Sequence, residues 1–265
     1  MSQLWTIEQD RVGPAATPVY LVRLMDQVPR PLILCVHGLG GSKDHFLPFA
    51  MSLAARGFVV ALVDAVNHGE RRHPDFENVV ESRFLPFFHE CVMGTADEIP
   101  ELLNALQSRP GIAPGSAGMT GFSMGGYITF RACCIESRLA AAAPCGASGD
   151  WSVDSLVPGA FVNPVLRQMV EAVNPAAHVD RFPPRALLIQ NGVLDDTVPI
   201  TQARRFLERG RPAYASCPDR LRWIEYPDLG HQFAPAMQDQ VERWMVRWLS
   251  ADGGPRTEDG EKVSV

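Results

Sequence analysis

Gly121-Phe122-Ser123-Met124-Gly125, followed by Gly126, sets a serine among small residues in a G-x-S-x-G pattern. An apolar run precedes it and a helix-forming stretch follows. A strand-to-helix turn of this kind is so sharp that the serine adopts a strained conformation, and glycines nearby avoid the clashes. The turn lifts the hydroxyl above the sheet edge, at a helix N-terminus, where developing negative charge is stabilised. The chemistry this suits is nucleophilic attack, for which a serine hydroxyl at neutral pH needs a base.

Seven histidines could supply that base. His231, in Leu229-Gly230-His231-Gln232-Phe233, falls between the last strand-like run and the last helix, where a loop can swing an imidazole over the sheet edge. His37 ends an early strand and is read as shaping a neighbouring loop; His45, His73 and His89 read as surface or packing residues; His68 and His178 stay open. The base in turn needs a carboxylate to hold its tautomer. Asp195 and Asp196 compete within Gly192-Val193-Leu194-Asp195-Asp196-Thr197-Val198-Pro199; Asp195, three residues after Gly192, is assigned, with Asp196 pointing elsewhere or capping the turn. Ser123, Asp195, His231 is the chain order nucleophile, acid, histidine, and each member follows a strand. An anionic intermediate also needs donors. The backbone N–H of Met124, just after the serine, is one; the loop His37-Gly38-Leu39-Gly40-Gly41-Ser42 supplies the other, assigned to the N–H of Leu39.

These residues require elements to carry them. Thr6–Val12 and Val19–Leu24 read as an antiparallel edge. Pro31–Val36, Phe58–Val63, Ala117–Phe122, Leu139–Pro144, Ala186–Gln190 and Leu221–Tyr226 read as strands, the continuous apolar ones covered on both faces. Helices are expected from Asp44, as cap, to Arg56 with Gly57 closing it, over Phe84–Ser108 with Pro86 and Pro100 as bends, and over Gly125–Glu136, Thr201–Glu208 and Pro235–Leu249. In the last of these, Met237, Val241, Trp244, Met245, Trp248 and Leu249 form one apolar face, so both tryptophans are read as core. Residues 65–83 read as a long polar loop. The alternation predicts an α/β fold: a mostly parallel sheet with helices on both faces. One domain over residues 1–250 is the simplest division, with a loose tail at 251–265. Residues 148–184 interrupt the rhythm with Trp151, Val153, Leu156, Val157, Phe161, Val162, Val165, Leu166 and Met169, either as a short cap-like insertion over an apolar pocket or as a surface excursion. Trp151 and Phe161 are its candidate substrate contacts.

Composition narrows the function classes. With 46% hydrophobic and 20% charged residues among 265, a sizeable core can form. A net charge of −6 and the lack of a Lys/Arg cluster argue against nucleic acid. No apolar run approaches the roughly 20 residues of a membrane helix. Met1–Asp10 has neither a basic start nor a long apolar stretch, so no signal peptide is read and a cytoplasmic location is expected. None of the six cysteines forms a Cys-x-x-Cys pair, so no metal site is expected and free thiols are.

The chain resembles the α/β-hydrolase superfamily from about residue 20 to 250, and is similar to small bacterial esterases of its dienelactone-hydrolase and prolyl-oligopeptidase-like branch. The carrying residues are His37-Gly38 with Ser42-Lys43-Asp44, Asp64 through His68-Gly69-Glu70-Arg71, Gly121 to Gly126, Gly192 to Pro199, and Gly230-His231. The resemblance implies hydrolysis of carboxylic esters of small molecules through an acyl-enzyme, with no cofactor. Dienelactone hydrolases typically carry a cysteine where Ser123 stands here. The resemblance also sets the 65–71 loop near the site rim, so His68 and Arg71 either touch substrate or belong to a loop held by a Glu70–Arg71 ion network. Acyltransferase, thioesterase, peptidase or perhydrolase activity would use the same triad, and a non-catalytic binding protein on this scaffold is a rival from another class. An exposed apolar insertion could equally be a homodimer contact.

Overall fold

The computed structural model describes residues 4–26, 28–152 and 164–249. Eight strands form one sheet in the order β1-β2-β4-β3-β5-β6-β7-β8. They are β1 (Trp5–Val12), β2 (Thr17–Leu24), β3 (Arg30–Val36), β4 (Val59–Val63), β5 (Ile112–Phe122), β6 (Leu139–Cys145), β7 (Ala186–Gly192) and β8 (Leu221–Tyr226). β1 pairs antiparallel with β2, and β2 antiparallel with β4; every other pairing is parallel. The expected antiparallel edge and parallel body are both there.

The central strands lack apolar–polar alternation because both faces are covered. In β3 the pleat sends Leu32, Leu34 and Val36 into one core, and Ile33 and Cys35 into the other. The first core is closed by α2 (Phe76–Gln107), α3 (Met124–Ile135) and α5 (Ile200–Gly210). The second is closed by α1 (Leu47–Ala55) and α6 (Pro235–Trp248). α6 buries Met237, Val241, Trp244 and Met245 against the sheet, and Trp244 donates its indole N–H to Ala186 O at 3.3 Å.

Two local expectations are corrected. Asp44 does not cap α1: the segment starts as a 3-10 turn over Lys43–Phe46 with Ser42 in extended backbone before it, and Asp44 accepts from Ser42 Oγ at 2.8 Å. Gly57, at φ +91, does close the helix. Residues 65–83 are not all loop. A 3-10 turn spans Gly69–Arg71, and α2 already begins at Phe76, running through Pro86 and Pro100. The helix breaks geometry at Arg83 (φ −140, ψ 40), in the turn before Pro86, where the proline ring cannot share regular helical packing.

In the insertion, α4 (Pro164–Ala172) is followed by a 3-10 segment, Pro175–Arg181. Asn174 Oδ1 accepts from Trp151 N at 2.9 Å and Ala176 N at 3.1 Å, tying its two ends together. The expected cap residues Val153, Leu156, Val157, Phe161 and Val162, and the tail at 251–265, lie outside the described residues.

Candidate active site

β5 ends at Phe122 and α3 begins at Met124, leaving Ser123 alone in the turn at φ 55, ψ −119. That conformation is strained for a residue with a β-carbon. It is held by Ser123 N donating to Cys145 O (2.9 Å) and Tyr127 N donating to Ser123 O (3.1 Å). The neighbouring glycines are required by contact. A β-carbon on Gly121 would overlap the backbone of Gly125, and one on Gly126 would overlap Ala147.

The loops after β7 and β8 are laced together. Val193 N donates to Tyr226 O and Leu194 N to Leu229 O, each at 2.9 Å, and a β-carbon on Gly192 would overlap Leu229 O. The lacing brings Asp195 to His231. Asp195 Oδ2 lies 2.7 Å from His231 Nδ1, while its Oδ1 accepts from Thr197 N (3.0 Å) and Val198 N (2.8 Å). His231 Nε2 lies 2.8 Å from Ser123 Oγ. A carboxylate accepting from Nδ1–H leaves the Nε2 lone pair facing the serine hydroxyl. The Asp195 side chain is 1% exposed and that of His231 20%, so the carboxylate is shielded while the imidazole reaches the cavity. Asp196 is exposed and turns to Thr197 Oγ1 at 3.5 Å.

The loop carrying Leu39 is pinned at both ends to the C-terminal end of β4. At one end His37 Nε2 accepts from Ala65 N (3.2 Å) and its Nδ1 donates to Gly38 O (2.7 Å). Burial pushes the His37 imidazole down from 6.5 to about 4, which keeps it neutral. At the other end Asp64 Oδ1 accepts from Lys43 N and Oδ2 from Lys43 Nζ, both at 2.8 Å, and Oδ2 also accepts from Glu70 N at 3.0 Å. Lys43 Nζ also pairs with Glu70 at 2.5 Å. Burial opposes the Lys43 charge, but the hydrogen bonds to Asp64 and Glu70 prevail and its ammonium is held above its ordinary range. Pinned this way, the loop brings Gly38 against Ser123: a β-carbon on Gly38 would stand 3.4 Å from that of the serine. Leu39 lines the cavity beside it, and Met124 is the buried first residue of α3.

The rim candidates fall elsewhere. His68 is fully buried, donates from Nδ1 to Val66 O at 2.8 Å and packs edge-on against Phe76. Arg71 makes a two-pronged ion pair with Glu98, both contacts 2.8 Å, and donates to Asp64 O and Ala65 O. Neither lines the cavity, and Arg71 pairs with Glu98 rather than Glu70, whose partners are Lys43 and Arg11. Trp151 is buried behind Tyr127, ring centroids 6.0 Å apart; Phe161 lies outside the described residues. His178 meets Ala172 O at 3.3 Å, away from the serine.

A cavity of about 360 Å³ opens over Ser123 and His231. Its walls include Phe84, Leu85 and Phe88 of α2, Tyr127 of α3 and Gln202 of α5, none of which belongs to a sequence motif. Phe84 and Phe88 are one helical turn apart, but no local signal says which helix covers the serine. Among the described residues no cluster of three His, Cys, Asp or Glu side chains could hold a metal, and no helix is long and apolar enough to cross a membrane.

A serine on a strand–turn–helix elbow, a histidine and an acid on later strand ends, and a mostly parallel eight-stranded sheet together define an α/β hydrolase. The chain belongs to the alpha/beta hydrolase family, whose model matches residues 33–261. It is similar to "Putative esterase YitV" of Bacillus subtilis (strain 168), 26% identical over 83% of this chain and 89% of that protein. It is also similar to esterase YjfP of Escherichia coli (strain K12), 25% identical over 80% of this chain and 86% of the relative. Among solved structures, TT1662 from Thermus thermophilus matches with a TM-score of 0.75 at 25% identity, covering 93% of this chain and 99% of its own. Solved chains named "Putative Dienelactone Hydrolase" and acylaminoacyl peptidase, each 16% identical, share the fold.

Proposed function

We propose that the protein is a carboxylesterase-type serine hydrolase that cleaves small-molecule esters through an acyl-enzyme. The observation that carries this reading is the continuous line Ser123 Oγ–His231 Nε2 (2.8 Å), His231 Nδ1–Asp195 Oδ2 (2.7 Å) at one end of the apolar cavity. The esterase names of YitV and YjfP support it.

In this mechanism His231 Nε2 takes the Ser123 proton as Oγ bonds to the ester carbonyl carbon. The carbonyl oxygen becomes an oxyanion and is held by the backbone N–H groups of Met124 and Leu39. As the intermediate collapses, the carbon–alkoxide bond breaks and His231 returns the proton to the departing alcohol. Water then gives a proton to His231 and attacks the acyl carbon; collapse releases the carboxylic acid and restores the serine. Asp195 holds the Nδ1–H tautomer and stabilises the imidazolium formed in each half.

Hydrolysis of p-nitrophenyl butyrate tests this. Ser123→Ala is expected to lower kcat by about 10⁴-fold or more with the fold intact, and a fluorophosphonate probe is expected to label the native protein and not the variant. Wild-type turnover by Ser123→Ala would refute it.

A further inference from the structure

The walls of the cavity limit what can occupy it. The described lining, from Gly38 and Leu39 to Gln202 and His231, contains no lysine, arginine, aspartate or glutamate. Behind the imidazole stands the Asp195 carboxylate, almost wholly buried. Arg72 reaches Gly40 O at 3.4 Å, on the loop that carries Leu39, but it is paired with Glu77 at 2.7 Å, lies over the Phe76 ring, and is not part of the lining. Aromatic rings make one side of the wall, beside Leu39, Leu85 and Val198. Phe84 stacks on Phe88 with centroids 5.6 Å apart, and Phe88 meets Tyr127 edge-on at 5.4 Å.

We infer that the substrates are esters whose cavity-occupying half is uncharged and apolar, that carboxylate-bearing esters are rejected, and that Phe84 at the mouth is a determinant of this choice. The inference rests on the esterase reading. An ester bearing a carboxylate would have to shed its water against a largely apolar wall, find no cation among the described lining residues, and sit near a second anion. Each of these raises its free energy in the cavity, and none acts on the neutral isostere. Phe84 is 42% exposed, so its side chain can be changed without opening the core.

The test uses two substrate pairs at pH 7.5, one varying each half of the ester: p-nitrophenyl butyrate against mono-p-nitrophenyl succinate, and phenyl acetate against 4-carboxyphenyl acetate. In at least one pair the anionic member is expected to have a kcat/KM about 30-fold lower or worse, the cost of leaving a desolvated carboxylate unpaired. Phe84→Lys is expected to shrink that gap by about fivefold, read as the ratio of the two kcat/KM values within the variant, as a partly exposed cation would. Turnover of all four esters with less than a threefold charge penalty in both pairs overturns this inference and leaves the esterase reading standing, as does a full-sized penalty in an active Phe84→Lys enzyme. No turnover of any ester overturns the esterase reading itself, and this inference with it.

Discussion

A β-carbon on Gly125 would overlap the carbonyl oxygen of Val36. The contact joins the first turn of α3 to the last residue of β3, immediately before the loop that carries Leu39, so the serine turn and that loop are seated against each other through bare backbone.

Gly125→Ala is therefore expected to displace the serine turn. Overpacking of a tight site costs about 1–3 kcal/mol, and kcat/KM is expected to fall by about 100-fold, since small misplacements of reacting groups are costly. Thermal unfolding and ester turnover measured on the same preparation check both.

The two adjacent acids separate cleanly. Asp195→Asn replaces the acceptor 2.7 Å from His231 Nδ1 with a group that can donate, so kcat is expected to drop by about 10⁴-fold. Asp196→Asn, at an exposed side chain, is expected to stay within about twofold. Equal losses in the two variants would reverse the assignment.

The protein is expected to lose stability as pH falls from 6.5 towards 4. Buried His37 stays neutral down to about 4, while in the unfolded chain it takes up a proton near 6.5. The unfolded state thus binds more protons across that window. The His37 contribution is complete above the upper limit and gone below the lower one, about 3 kcal/mol in all. Burial lowers His68 in the same sense. Urea unfolding at several pH values, compared between wild type and His37→Gln, should show a shallower slope between pH 4 and 6.5 in the variant, whatever its absolute stability.

Lys43→Met is expected to destabilise the fold by about 3–5 kcal/mol, because it strands the buried Asp64 carboxylate without its cation. Adding Asp64→Asn should recover part of that loss. Chemical denaturation of the two single variants and the double variant measures the coupling.

What could be read from the sequence was what local backbone demands. Gly121, Gly125 and Gly126 stand where β-carbons do not fit, and Gly192 does the same between the acid and histidine loops; such positions leave a mark in residue type. The strands were legible because a sheet covered on both faces leaves apolar runs without alternation. What could not be read was who meets whom across the fold. Arg71 looked available for substrate, but its partner Glu98 is 27 residues further on. Lys43 is charged yet 2% exposed, because Asp64 and Glu70 converge on it. The start of α2 read as loop because Glu77, Asn78, Glu81, Ser82 and Arg83 all face solvent. Phe84 and Phe88, just beyond the kink, then gave no sign of standing over the serine.

Ser123 and His231 are 108 residues apart in the chain, and the hydrogen bond between them has no covalent short cut. During refolding, turnover should consequently reappear only after β5, β7 and β8 have aligned, lagging behind the recovery of helical signal. A colorimetric ester thus doubles as a clock for the last stage of assembly, responding to a slip between neighbouring strands that circular dichroism would overlook.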